Sequence, residues 1–358
     1  MKTIYSLQIV RALAAWSVVF HHYVQLYFNM KTNHSLGAFF ANYGGLGVDV
    51  FFVLSGFIIS LLAKGDHSPT SFLLSRFLRI APAYYFFSAI IVVLIATAPL
   101  GFNYTDYSSI TLLANALFLP IANPSGLGDY PVLTVGWTLQ FEIFFYCVFA
   151  ICLFLSKKHS LLIVATILFI LPLIYSSNIY YSNIASDKRL WEFSAGVVIA
   201  KCWGSISVRS VLARFPLAAA LFASSAMAIT AMTIDKIPYS QLLFATSVVC
   251  AALAVEPLLN RDSKLVRWMV GLGNKSYSTY LIHVIVLGVA IQIGGKQLSM
   301  IEQTTALVVS TISIYVLSGW SYRFIERAKW IENLSRRCTH SEPPLPDSPT
   351  SKLTVLSP

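Results

Sequence analysis

Ten apolar segments, each 16 to 25 residues long, follow one another along this chain, most of them separated by short connectors. The hydrocarbon core of a bilayer is about 30 Å thick, and an α-helix of about 20 apolar residues crosses it. Hydrophobic residues make up 56% of the 358 positions and charged residues 11%, which excludes an ordinary soluble domain. We therefore predict an all-α, polytopic transmembrane helical bundle of about ten spans. The predicted spans are 4–28, 45–63, 77–98, 134–156, 160–176, 189–204, 215–233, 238–256, 277–294 and 303–322.

The Lys and Arg residues are distributed unevenly on the two sides of these spans. With the N-terminus in the cytoplasm, 19 of the 25 lie at inner ends and inner loops, five lie outside, and Arg11 lies within the first span. Cytoplasmic loops carry an excess of Lys and Arg, so both termini are predicted to be cytoplasmic. The net charge of +10 is then a topology signal and not a sign of nucleic-acid binding. Residues 1–330 form the predicted membrane domain, and the Pro- and Ser-rich segment 331–358 a disordered cytoplasmic tail.

The five cysteines are scattered, and four of them lie in apolar segments. This pattern matches neither a disulfide framework nor the ligand spacing of a metal site. We therefore expect neither redox chemistry nor a bound metal.

Two ionisable residues share one face of the first predicted helix. Arg11 and His22 are eleven residues apart, which is about three helical turns and ~16 Å along the axis. An ionisable group at the centre of a membrane helix costs at least ~2.5 kcal/mol, so each needs a partner or a polar cavity. The sequence leaves two interpretations of His22 open: a buried histidine in a helix–helix hydrogen bond, or a catalytic group.

Three carboxylates are predicted to lie in the outer half of the bundle with His22. They are Asp49, Glu142 and Glu192. A carboxylate such as Glu142 or Asp49 could orient the imidazole and raise its basicity, which is the composition of a general-base site. Glu192 could equally serve as a structural partner of Arg189, three residues before it.

The inner half of the predicted bundle has the opposite sign. Arg76 and Arg79 lie one turn apart at the cytoplasmic start of the span 77–98, and Arg11, His283 and Arg323 are expected at comparable depth. Cytoplasmic helix ends are generally rich in Lys and Arg, and this alone explains any one of the arginines. Together they could form a pocket that binds the phosphates of a nucleotide-like donor.

Over residues 5 to about 330, the order and spacing of these motifs resemble acyltransferase family 3, whose members include bacterial O-antigen and exopolysaccharide O-acetyltransferases. The motifs are Arg11-x10-His22, GVDVFFVLSGF around Asp49, Arg76 and Arg79 before IAPAYY, GWTLQFE ending at Glu142, RLWEFSAG, GNKSYSTYLIH ending at His283, and YRFIER. The chain departs from the family pattern in two places, with Trp-Thr-Leu for the more usual Trp-Ser-Leu and Glu-Arg for the common Glu-Pro.

The resemblance implies a multi-pass protein of the bacterial inner membrane that uses acetyl-CoA, or another acyl-CoA, as donor substrate and has no bound cofactor. The acceptor it implies is a saccharide or lipid-linked glycan. His22 and Arg11 match the family's essential pair, and Glu142 matches its tryptophan-to-glutamate motif. From the residues alone, direct transfer and an acyl-histidine intermediate both stay open.

Two other functions remain compatible with buried charges. A transporter or flippase of lipid-linked saccharides also lines its substrate path with ionisable residues, although no internal repeat is visible in this sequence. A saccharide polymerase should carry basic residues in its large outer loop, and residues 99–133 contain no Lys or Arg.

Overall fold

The computed structural model describes residues 3–32, 34–63, 68–97, 107–123, 128–175, 184–205, 214, 216, 239–295, 299–329, 331, 333 and 334. Every regular element in these residues is helical, which confirms the predicted all-α class. The α-helices are α1 (Tyr5–Phe28), α2 (Ser35–Tyr43), α3 (Leu46–Leu62), α4 (Pro69–Thr97), α5 (Ser109–Ala116), α6 (Trp137–Leu155), α7 (Ser160–Tyr175), α8 (Leu190–Trp203), α9 (Ser240–Val255), α10 (Lys264–Asn274), α11 (Ser276–Gly294) and α12 (Met300–Ser321). Short 3-10 turns lie at Thr134–Gly136, Ile184–Ser186 and Glu256–Leu258, and one π-helical turn at Tyr322–Glu326 follows α12.

Several of these helices are suited to a bilayer. Within the described residues, five are long and apolar enough to cross it, and α2 with α3 would add a sixth across a 44° bend. The five are Pro69–Thr97, Thr134–Leu155, Ser240–Leu258, Ser276–Gly294 and Met300–Glu326. The chain is therefore a multi-pass membrane protein. The number of ten spans and the cytoplasmic termini stay predictions, since the span 215–233 and the tail 331–358 fall almost wholly outside the described residues.

Helix α4 begins earlier than the sequence predicted. It starts at Pro69 instead of residue 77, because Ser68 accepts a hydrogen bond from the backbone N–H of Ser71 (3.2 Å) and proline fits the first helical turn. Arg76 and Arg79 are therefore inside a helix, about two and about three turns from its first residue, and not at its start.

Helix α1 is anchored at its N-terminus by a carboxylate from another part of the chain. Glu256 Oε2 accepts the backbone N–H of Ser6 at 2.7 Å, and Glu256 Oε1 accepts Arg261 Nη2 at 2.8 Å. The first N–H groups of a helix have no partner within it, so this bond stabilises the first turn. Nearby, Gly273 of α10 lies against the backbone of Gln8 so closely that an added Cβ would collide with it. These contacts fix the position of Arg11 one to two turns later.

Helices α3 and α8 pack face to face through small residues. An added Cβ at Gly56 would collide with the carbonyl oxygen of Phe193, and one at Gly196 with the carbonyl oxygen of Val53. Close backbone approach through glycine is a common way for membrane helices to pack. The contact brings the N-terminal turns of both helices, with Asp49 and Glu192, next to each other.

Helix α6 is fixed by aromatic packing on one side. Phe145 and Phe149 are fully buried, and the Phe145 ring lies 4.7 Å from that of Phe193 in α8, measured between centroids. Glu142 and Tyr146 are four residues apart, so they lie one above the other on the helix surface. Both side chains line the cavity described next.

Candidate active site

A cavity of about 560 Å³ lies among α1, α3, α4, α6 and α11. This volume is within the range of ligand sites, about 300–1,000 Å³. Its charged lining consists of Arg11, Arg76, Arg79, Arg327 and Glu142. The structure thus brings together the three arginines that the sequence suggested for a donor pocket. Arg323, which was expected at the same depth, is exposed and does not line the cavity.

The three arginines contributed by α1 and α4 have few protein partners. Arg11 Nη1 donates to Gln8 Oε1 at 3.4 Å, and Arg76 Nε to Ser75 Oγ at 3.4 Å. Over the described ranges, none of Arg11, Arg76 and Arg79 forms an ion pair with a carboxylate. Arg11 and Arg76 are half-buried and Arg79 is exposed. Guanidinium groups without a carboxylate partner bind phosphate and carboxylate strongly, so the cavity is suited to an anionic ligand.

Glu142 lies in this cavity and not beside His22. Its Oε1 accepts hydrogen bonds from Ser55 Oγ (3.1 Å) and from the hydroxyl of Tyr146, one turn further along α6. Both donors line the same cavity as the carboxylate. The predicted separation of Glu142 from the arginines is therefore wrong, because Glu142 lines the same cavity as Arg11.

His22 has a different partner from the one predicted. Its Nδ1 lies 3.0 Å from the carbonyl oxygen of Val18 and 3.2 Å from Nε2 of His283 in α11. The hydrogen-bond partners of His22 in the described part of the chain are these two groups, so neither Glu142 nor Asp49 orients it in this structure. The expected depth of His283 is wrong as well: its ring is 5.0 Å from that of His22, centroid to centroid.

The arginine cavity and the histidine pair are linked through Tyr280. Tyr280 lines the cavity, its hydroxyl is bonded to Val135 O and Thr138 Oγ (3.1 Å each), and its ring lies 5.7 Å from that of His283. His22 is not among the residues that line the cavity. His22 is therefore connected to the cavity through His283 and then Tyr280, whose rings lie next to each other.

Asp49 and Glu192 pair with each other at the α3–α8 contact. The two carboxyl groups lie within hydrogen-bonding reach, and Glu192 is 4% exposed. Arg189, the predicted partner of Glu192, instead forms an ion pair with Asp187 at 2.8 Å, and its guanidinium lies over the ring of Trp137 at 4.9 Å. Two carboxyl groups this close repel each other when both are ionised, so the contact favours a form in which the pair shares one proton.

The sequence did not single out Glu326, which holds the N-terminus of α11. Its Oε1 accepts the backbone N–H of Ser278 (3.0 Å) and the hydroxyl of the same serine, whose oxygen lies 2.7 Å from Ser321 Oγ and can accept from it. Glu326 also interacts electrostatically with Arg79 and Arg11. The motif YRFIER was visible in the sequence, but only the π-helical turn Tyr322–Glu326 directs this carboxylate at α11.

Comparison with known proteins gives the wider relationship. The family model described as "Acyltransferase domain" matches residues 4–320. "Exopolysaccharide production protein ExoZ" of Rhizobium meliloti (strain 1021) is 30% identical over 303 residues, which cover 83% of this chain and 92% of that protein. "Acyltransferase MdmB" of Streptomyces mycarofaciens is 24% identical over 352 residues, or 87% of each chain. No solved structure matches the chain.

Proposed function

The chain belongs to acyltransferase family 3, matched over residues 4–320, and we propose that it transfers an acyl group from acyl-CoA to a saccharide hydroxyl. Family membership makes it an acyltransferase and confirms the predicted enzyme class against the transporter and polymerase alternatives. The acyl-CoA donor, the acetyl group and the saccharide acceptor are parts of the proposal. A location in the bacterial inner membrane, with both termini in the cytoplasm, is also part of the proposal.

One observation carries the donor assignment: Arg11, Arg76 and Arg79 line one cavity without an ion pair in the described residues. Several guanidinium groups near one another repel and gain stability when an anion binds between them. The phosphates of CoA supply such an anion, and the thioester arm would extend toward Tyr280. Arg76 and Arg79 are assigned to the phosphates, and Arg11 to the donor or its thioester oxygen.

His22 is assigned as the general base. It removes the proton of the acceptor hydroxyl while that oxygen attacks the thioester carbonyl carbon. The new C–O bond forms, the C–S bond breaks, and the thiolate takes the proton from His22 as CoA leaves. The saccharide nature of the acceptor is supported by the similarity to ExoZ, whose name places it in exopolysaccharide production. A covalent acyl-His22 intermediate is the alternative route.

The donor assignment is tested by measuring free thiol released from acetyl-CoA by the purified protein, with and without saccharide acceptors. Wild-type protein should release CoA faster when a suitable saccharide is present, and His22→Ala should abolish that increase. Arg76→Ala and Arg79→Ala should each raise KM for acetyl-CoA about ten-fold, since a charge-assisted hydrogen bond contributes about 1.5–3 kcal/mol.

The matched control is Arg323→Ala, which removes an exposed arginine that does not line the cavity. It should leave KM for acetyl-CoA unchanged. Equal KM values for all three arginine variants and the wild type would contradict the donor site. Failure of the wild-type protein to release thiol from any acyl-CoA, with a membrane glycan fraction as acceptor, would contradict the donor class.

A further inference from the structure

His283 is completely buried in the described fold, with 0% exposure, in the middle of the apolar helix α11. A buried polar ring is costly unless it is hydrogen-bonded. Its Nε2 lies 3.2 Å from His22 Nδ1, on a helix 261 residues away along the chain. The two histidine rings are therefore hydrogen-bonding partners.

The rotation of α11 about its axis is fixed by contacts to three other parts of the chain. Tyr277 donates to the carbonyl oxygen of Ile80 in α4 at 2.8 Å, and Tyr280 to that of Val135 before α6 at 3.1 Å. Ser278 donates to Glu326 after α12. His283 follows Tyr280 by three residues, just under one turn, so these bonds also set the direction of its ring.

The two contacts of His22 Nδ1 decide which ring nitrogen carries the proton. The carbonyl oxygen of Val18, 3.0 Å away, can only accept a hydrogen bond, so Nδ1 must be the N–H nitrogen. His283 Nε2 then accepts from the same N–H, and the proton of His283 is on its buried Nδ1, which interacts with the backbone of Tyr280 and Thr279 without a close hydrogen bond in the described residues. The lone pair of neutral His22 is consequently on Nε2, the nitrogen that a general base uses here.

We propose that His283 is a positioning residue that holds His22 as the Nδ1–H tautomer and stabilises the imidazolium formed during transfer. This inference rests on the proposed acyl transfer. When His22 Nε2 takes the hydroxyl proton, the positive charge strengthens the hydrogen bonds from Nδ1–H to Val18 O and His283 Nε2. The proton then passes from Nε2 to the leaving thiolate, and His283 gains and loses none. A third group that orients the base is a recurring part of such sites.

The test compares His283→Leu, which removes the acceptor, with His283→Gln, whose amide oxygen can accept near the position of Nε2. Leu287→Ala is the matched control, because it removes buried packing from the same helix, one turn beyond His283, and leaves both histidines in place. We expect His283→Leu to lower kcat about ten- to a hundred-fold, as expected for a lost hydrogen bond to a charged group. KM for acetyl-CoA should stay unchanged, and His283→Gln should recover much of the rate.

A second measurement does not depend on activity. Nitrogen NMR of protein labelled at the histidine ring nitrogens reports which nitrogen of His22 is protonated, with assignment by the His22→Gln spectrum. The wild type should show the Nδ1–H tautomer, and His283→Leu should mix the two tautomers. The Nε2–H tautomer in wild type, or a kcat of His283→Leu equal to that of Leu287→Ala, would overturn the proposal. A wild type that shows the Nδ1–H tautomer but transfers no acyl group would refute the proposed function alone.

Discussion

The anchor of helix α1 at Glu256 gives a stability prediction whose size follows from two contacts. Glu256 is 9% exposed and accepts from Ser6 N–H at 2.7 Å and from Arg261 at 2.8 Å. A hydrogen bond to a charged group contributes about 1.5–3 kcal/mol. The Arg261 side chain is 39% exposed, so its ion pair contributes only about 0.5 kcal/mol. Glu256→Ala should therefore lower the free energy of unfolding by about 2–3.5 kcal/mol.

Three variants separate the two bonds. Glu256→Gln keeps an acceptor for Ser6 N–H and should cost about 1 kcal/mol, and Arg261→Ala at most about 1 kcal/mol. Unfolding of the purified protein in mixed micelles, followed by circular dichroism as the SDS fraction rises, measures these differences. Equal stability of Glu256→Ala and Arg261→Ala would refute the assignment of most of the effect to the helix N-terminus.

The same anchor has a consequence for the donor cavity. Leu7 and Gln8, next to Ser6, line that cavity together with Arg11. If the first turn of α1 frays in Glu256→Ala, the position of the Arg11 side chain becomes less defined. KM for the acyl donor should rise in this variant while kcat changes less, and Glu256→Gln should stay close to wild type.

Two further predictions concern the α3–α8 contact. Gly56→Ala should destabilise the protein by several kcal/mol, because its Cβ would collide with a backbone carbonyl. Gly271→Ala should be neutral or slightly stabilising, because a Cβ there would meet nothing within 4 Å. Equal unfolding of the two variants in SDS would contradict the packing. Asp49→Asn should keep the hydrogen bond with Glu192 and a stability near that of the wild type. Asp49→Leu should destabilise the protein by about 1–3 kcal/mol, because it leaves the carboxyl of Glu192 unpaired. Loss of folding in both variants would contradict a shared proton.

The sequence predicted well where the helices of the described residues lie along the chain, but it predicted poorly which side chains contact each other. The length of the first apolar segment predicted a helix over 4–28, and the structure has one at Tyr5–Phe28, because a long apolar segment is a direct sign of a membrane helix. The sequence placed Arg11 with Arg76 and Arg79 for a similar reason, since all three lie toward one end of their helices. Rotation about a helix axis is not visible in a near-uniform apolar segment, so the direction of each buried polar side chain stayed undetermined.

His283 and Glu142 show that the predicted depth of a residue in the membrane does not identify its neighbours. His283 was assigned to the arginine end from its position near the start of the span 277–294, but α11 begins at Ser276 and two turns bring this residue to the level of His22. Glu142 was placed outside with His22, yet hydrogen bonds from Ser55 and Tyr146 hold it in the cavity. Both outcomes depend on which helices are neighbours, and that information is tertiary.

The separation of the arginine cavity from the histidine pair has a chemical use in an acyltransferase. A thioester is hydrolysed if water and a general base reach it together, and a membrane enzyme of this class must avoid that reaction. In this structure His22 lies beyond Tyr280 and His283 from the cavity that is suited to the donor. Under the proposed function, a donor held by its phosphates would meet Glu142 and the tyrosines first, and its acyl end would have to pass Tyr280 to reach His22. The proposed base would then meet the thioester only where the acceptor hydroxyl binds, and this order of the two sites along α1 and α11 would favour transfer over hydrolysis.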